Sequence, residues 1–158
     1  MKAIARATLV AGTLDILSAI AFAGMAGMGP VALLQFVASG PFGDQAKSGG
    51  GWALAGLLVH FAIMACMVAA YYLAARRWPA LNRRPLWSGA LYGVLLWFIM
   101  YWIVRPLRWP AMALPAAWAG MPVEKVAWSI GNALFSHCLL VGIPIALMTA
   151  RALRGPSG

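Results

Sequence analysis

The chain has 158 residues, 63% of them hydrophobic and 9% charged, with a mean hydropathy of +0.83 and a formal net charge of +9. Soluble domains are about half apolar and about a quarter charged, so this composition points to a membrane protein and leaves no length for a separate soluble domain. The basic residues sit at the ends of apolar runs and form no continuous stripe, which argues against nucleic-acid binding as the reason for the charge.

After a short basic start, MKAIAR, residues 7–28 run apolar, interrupted by Asp15 and a few hydroxyls. This imitates a secretory signal, with Ala21-Phe22-Ala23 resembling a cleavage site. An aspartate in the middle of the apolar region is costly and argues against that use. The stretch reads as a retained first span, ended by Gly29-Pro30. Residues 30–39 carry the apolar run VALLQFVA and close on Ser39-Gly40-Pro41. They are too few to cross a hydrocarbon core of about 30 Å, which takes about 20 helical residues. The expectation is a short interfacial or re-entrant helix with Pro30 at its first position. GDQAKSGGG, residues 43–51, is a loop by its glycines.

Residues 52–75 form the second span, ending at Arg76-Arg77, and the short basic WPALNRRP connects it to the third, residues 86–104. Residues 106–122 are rich in proline and tryptophan and too proline-broken for a long helix. Residues 126–150 form the fourth span, with Pro144 as an expected kink. The fold class is all-α, a four-transmembrane-helix bundle in a single integral membrane domain over residues 1–158, with the lipid bilayer as its first partner.

Orientation follows from lysine and arginine placement. Lys2, Arg6, Arg76, Arg77, Arg83, Arg84, Arg151 and Arg154 fall at the end shared by the termini, whereas Lys47, Arg105, Arg108 and Lys125 fall at the other. The expectation is a bacterial inner-membrane protein with both termini cytoplasmic. Trp52, Trp109, Trp118 and Trp128 then mark the outer interface, and Trp78 and Trp87 the inner one.

Three ionisable groups lie inside the spans: Asp15, His60 and His137. At about 1.5 Å per residue, His60 lies about 12 Å below Trp52, His137 about 13 Å below Trp128, and Asp15 about 13 Å above Arg6. All three therefore reach one level near the midplane of a core of about 30 Å. On the helical wheel His60 shares a stripe with Gly56, Met64, Met67 and Tyr71, and Asp15 with Thr8, Ala11, Ser18, Ala19 and Phe22. Small residues on the second stripe, and Gly89-xxx-Gly93 in the third span, are close-packing signals. Ser136 and Asn132 add hydrogen-bonding capacity near His137, although Asn132 points away from it on an unbroken wheel.

A lone carboxylate in hydrocarbon is costly, and an imidazole beside it relieves that cost by sharing a proton. Two readings of an Asp15–His60–His137 cluster follow. It binds or moves a small solute or protons, or senses pH, in a homo-oligomer or alone. Alternatively it is structural, at about 0.6 kcal/mol per interhelical hydrogen bond, in an accessory or assembly subunit of a larger membrane complex. A third class is a redox protein: two histidines at one depth suit a b-haem, and His60 with Met64 and Met67 suits Cu(I). No cofactor or metal is expected on the leading reading, because methionine is also a common gap filler and no c-type haem motif is present. Cys66 and Cys138 both lie within spans and read as small hydrophobes. No GxSxG, P-loop, HExxH or paired-carboxylate motif occurs, so no catalytic residues are assigned. Arg105 and Arg108 read as interfacial, either snorkelling or meeting an anionic headgroup.

The order of AGTLDIL (11–17), VASGPFG (37–43), LLVHF (57–61), LYGVLLW (91–97), VRPL (104–107) and SHCLLVGIPIAL (136–147) resembles a group of small, uncharacterised bacterial inner-membrane proteins. YagU-like proteins are similar in layout at a greater distance, with four spans and a histidine near the last. The resemblance implies an architecture and a set of positions, and no activity.

Overall fold

The computed structural model describes residues 2–154; Met1 and residues 155–158, counted in the single domain, lie outside the described residues. It is all-helical, with no strand among the described residues. Four helices are long and apolar enough to cross a membrane: α1 (Lys2–Met25), α3 (Trp52–Arg77), α4 (Pro85–Arg108) and α5 (Val123–Arg154). A shorter apolar helix, α2 (Pro30–Phe42), lies between the first two. Large leucines point outward all around: Leu9, Leu17, Leu54, Leu58, Leu73 and Leu91 are each more than half exposed. Outward leucine with small residues at the centre is the pattern of a bundle solvated by lipid, and the chain is a multi-pass helical membrane protein.

α2, α4 and α5 outrun their expected bounds at one or both ends and α3 at its far end, whereas α1 starts earlier than expected and stops three residues short of residue 28. α1 begins at Lys2, and it stops at Met25 because Gly27 takes φ +84°. The Met28 N–H then reaches the Ala23 carbonyl at 2.9 Å and the Gly27 N–H the Gly24 carbonyl at 3.0 Å. That is a Schellman ending, and Pro30 follows to start the next helix. α2 does not close at Ser39-Gly40-Pro41 but runs through it. The Ser39 hydroxyl donates to the Phe36 carbonyl at 2.7 Å, and the Ser39 carbonyl accepts the Gly43 N–H at 3.1 Å. The carbonyls left open near Pro41 also gain a donor from α4, described below.

Two prolines inside spans are handled alike. Pro106 does not end α4 at Val104, because residues Ile99–Val104 widen into a π-type turn and Arg105–Arg108 continue the helix. Residues Phe135–Gly142 widen α5 in the same way ahead of Pro144. A proline in a helix lacks an N–H and crowds the carbonyl four residues earlier. A wide turn, with bonds such as Arg105 N–H to the Met100 carbonyl and Ile143 N–H to the Cys138 carbonyl, relocates that carbonyl. The deviation expected at Pro144 is thus spread over the residues before it.

At the end carrying Lys2 and Arg154 the bundle is solid. Ala7, Ala11, Val68, Tyr71, Ala75, Ile145 and Ala146 are buried there in one cluster. α4 and α5 touch backbone to backbone: a Cβ on Gly89 would meet the Gly142 carbonyl and Ile143 Cα, each at 2.7 Å. A Cβ on Gly93 would meet the His137 backbone, and one on Gly142 would strike Gly89 and Gly93. The Gly89-xxx-Gly93 spacing is therefore the α4–α5 contact. The turn between α3 and α4 is tied down by side chains: Asn82 Nδ2 donates to the Ala75 carbonyl at 2.9 Å, and Ser88 Oγ to the Leu81 carbonyl at 2.7 Å. Tyr71 Oη donates to Ser88 Oγ at 2.9 Å and Tyr92 Oη to the Met67 carbonyl at 2.8 Å, joining α3 to α4.

Candidate functional site

At the other end the four long helices stand apart around a cavity of about 400 Å³. Asp15 from α1, His60, Met64 and Met67 from α3, and His137 from the wide turn of α5 all line it. The three ionisable groups expected at one depth thus open onto one space. α2 covers that space with Leu33, Phe36 and Val37, and α4 lines it with Met100, Tyr101 and Val104 of its wide turn and Arg105 just beyond.

Gly12 explains how α3 approaches α1 here. A Cβ at Gly12 would sit 2.6 Å from the Phe61 ring, so only glycine admits this contact. The approach brings His60 Nε2 to 2.9 Å from the Gly12 carbonyl oxygen. A carbonyl only accepts, so Nε2 carries the hydrogen. Nδ1 of the same ring then faces Asp15, 4.0 Å from Oδ2. Both side chains are mostly buried, at 11% exposure for His60 and 22% for Asp15. His137 is fixed by the same logic with the nitrogens exchanged: Nδ1 lies 2.8 Å from the Ala133 carbonyl and must donate to it, which leaves Nε2 free. The His137 ring also stands edge-on to Tyr101, with centroids 6.1 Å apart.

Ser136 and Asn132 part company. Ser136 is buried, and its Oγ shares a hydrogen bond of 2.9 Å with Ser18 Oγ, which donates in turn to the Asp15 carbonyl at 2.9 Å. This ties α5 to α1 one turn from the carboxylate. Asn132 does not line the cavity; it borders a separate outer groove with Phe22, Trp128 and Phe135. It lies before the wide turn, so it keeps the face that the unbroken wheel assigned to it, away from His137.

Arg108 is neither snorkelling nor free for a headgroup. Its Nε donates to the Ser39 and Gly40 carbonyls at 2.8 and 3.0 Å, and its Nη2 to Asp44 Oδ1 at 2.8 Å. Lys47 Nζ lies 3.0 Å from the same carboxylate oxygen. The hydrogen bonds from Arg108 and then Lys47 hold the exposed Asp44 carboxyl below its ordinary range. Arg108 therefore caps α2 and clasps the cover to α4, and Phe36 stacks on Trp109 at 4.5 Å beside it. Arg105, by contrast, lies over the Tyr101 ring at 4.7 Å and lines the cavity. Tyr101, Arg105 and Trp109 are site residues that sequence reasoning did not assign. The signal present was a tyrosine and an arginine one helical turn apart, in YWIVR, at the end of a span.

The residues do not fit a b-haem. His60 has one ring nitrogen held by the Gly12 carbonyl and the other turned to Asp15, so neither is directed at an iron opposite His137. For copper, Met64 is 3% exposed and packs against Gly12 within the buried core, which is a filling role. Among the described residues, no three His, Cys, Asp or Glu side chains gather closely enough to hold a metal ion. No family model matches the chain, and neither curated proteins nor solved structures yield a match.

Proposed function

We propose that this chain is a four-span protein of the bacterial inner membrane, akin to the small inner-membrane group it resembles, with both termini in the cytoplasm. It binds a small solute in the cavity and moves it in step with a proton held between Asp15 and His60. The orientation rests on the eight basic residues at the terminal end against four at the α2 end. The coupling rests on one observation: His60 Nε2 is committed to the Gly12 carbonyl while Nδ1 faces Asp15 Oδ2 at 4.0 Å.

Without an extra proton, the free lone pair of Nδ1 confronts a carboxylate, and two acceptors face each other in surroundings of low polarity. With one proton, an approach of about 1 Å gives either an imidazolium–carboxylate pair or a carboxylic acid donating to Nδ1. Any solute that changes the polarity or charge of the cavity changes proton affinity, and reciprocally the proton changes solute affinity. Ser18 and Ser136 hold the α1 backbone beside Asp15, so the carboxylate has a fixed partner.

The test is reconstitution of wild type and Asp15→Asn in liposomes with a pH-sensitive dye inside. The expected result is pH-driven proton movement in wild type and its loss in Asp15→Asn at equal protein incorporation. Equal movement in both would remove Asp15 from the mechanism.

A further inference from the structure

The cavity carries polar groups of opposite chemistry. Some are acceptors: the Asp15 carboxylate, Nδ1 of His60 and Nε2 of His137, the two ring nitrogens left over by the Gly12 and Ala133 carbonyls. Others are donors. Arg105 lines the cavity, and its guanidinium has no hydrogen-bond or ion-pair partner among the described residues beyond the face of Tyr101. Trp109 lines it as well, and its Nε1–H is buried without a partner. The Tyr101 hydroxyl makes no hydrogen bond to another described residue. The thioethers of Met64, Met67, Met100 and Met112 add a flexible apolar wall.

The imbalance between the acceptors and the donors decides the sign of the ligand. Asp15 already has His60 within 4.0 Å to share its charge. Arg105 is always protonated, and here its charge is met only by a ring face, while Arg108 three residues on is satisfied by Asp44 and two carbonyls. An uncompensated cation beside an orphaned indole donor asks for an anion with more than one acceptor oxygen. We infer that the solute is an amphipathic carboxylate, seated with its head on Arg105, Trp109 Nε1 and the Tyr101 hydroxyl and its apolar body along the methionines. The volume of about 400 Å³ falls within the range of small-ligand pockets, about 300–1,000 Å³. This deepens the solute-binding reading given above and rests on it.

The experiment is calorimetric titration of the full chain in neutral-lipid nanodiscs with octanoate, with octyltrimethylammonium of matched length, and with oleate. Octanoate is expected to bind and the cation to bind at least tenfold more weakly. Arg105→Gln should weaken octanoate at least tenfold and Arg105→Lys should restore part of it. Trp109→Phe, which keeps an aromatic ring but loses the donor and part of the indole, should weaken it about tenfold or more, as expected for losing one hydrogen bond to a charged group. The thermal melt of each variant, read alongside, separates lost binding from lost fold. No gain from oleate over octanoate points to a small acid arriving from water, and a large gain to a lipid-derived acid; either outcome upholds the carboxylate class. Equal or tighter binding of the cation, or octanoate binding untouched in a folded Arg105→Gln, overturns it. The two proposals fail separately. Octanoate binding with Asp15-independent proton movement removes the coupling and leaves the ligand class. Asp15-dependent proton movement without octanoate binding does the reverse.

Discussion

At the end of the bundle that carries Lys2 and Arg154, four helices meet through glycine, alanine and a few interlocked aliphatics, with backbones in contact. At the α2 end the same four helices separate around a space, and the side chains facing it are methionine, aromatic and ionisable. Lipid gives no hydrophobic push between spans, so the first end gains its cohesion from close van der Waals approach and a few hydrogen bonds. The second end keeps such approach at Gly12 and Gly56, where α3 meets α1 and α2, and is closed by a cover, α2, that one arginine also clasps. The contrast teaches that packing is divided along the bundle: one half is filled, and the other encloses a space lined by ionisable and aromatic groups.

The largest expected effect breaks the filled half. Gly142→Leu places a side chain against the Gly89 and Gly93 backbones, and overpacking there should cost about 3 kcal/mol or more, or prevent folding. Gly131→Ala, where nothing lies within 4 Å, should leave stability unchanged or slightly higher. Unfolding in mixed micelles with rising SDS would measure both; similar midpoints for the two variants would mean the α4–α5 contact is not the anchor. Next comes the hollow half. Asp15→Asn should alter stability by only about 0.6 kcal/mol, the usual size of an interhelical hydrogen bond in a membrane, while abolishing proton movement. A large loss of stability in the same SDS titration would mark the cluster as structural.

Arg108→Ala should loosen the cover and little else. It removes the donors to the Ser39 and Gly40 carbonyls and to Asp44, each bond being of the charge-assisted kind worth about 1.5–3 kcal/mol when buried. The side chain is 27% exposed, so the net loss should be nearer about 1–2 kcal/mol, felt as faster hydrogen exchange in α2 and not in α4 near Gly93. Uniform exchange changes through the bundle would deny that the two ends are separable. The smallest effect is a pH dependence of the same clasp. The Asp44 carboxyl is held below its ordinary range, so its contribution is complete above about pH 4 and fades as pH falls through the lowered folded value. Exchange in α2 should therefore quicken in acid below about pH 4 in wild type, and Asp44→Asn should flatten that profile.

The same division decides what the sequence revealed. The four spans were legible because length and apolarity alone settle them, and Asp15, His60 and His137 because ionisable groups are rare enough inside spans to be noticed singly. Gly89 and Gly93 carried a recognisable spacing. Tyr101, Arg105 and Trp109 were hidden because their meeting depends on a wide turn and on a continuation of α4 through Pro106, where the proline signals an ending. Arg108 was misread for a different reason: its partners, the carbonyls of Ser39 and Gly40, have no signature in side-chain identity. The extension of α2 through Pro41 depended on that donor in turn.

The wide turn of α5 has a consequence for chain length. An added residue in a helix rotates everything beyond it by about 100°. On one side of Phe135–Gly142, His137 faces the cavity near its start; on the other, Gly142 and Ile145 face the packed core. Deleting a single residue between Leu139 and Val141 would turn one of these faces toward lipid while keeping the other in place. Within it, the half-exposed Leu139 should therefore tolerate a change of side chain far better than its insertion or loss, as part of a spacer whose residue count carries the information.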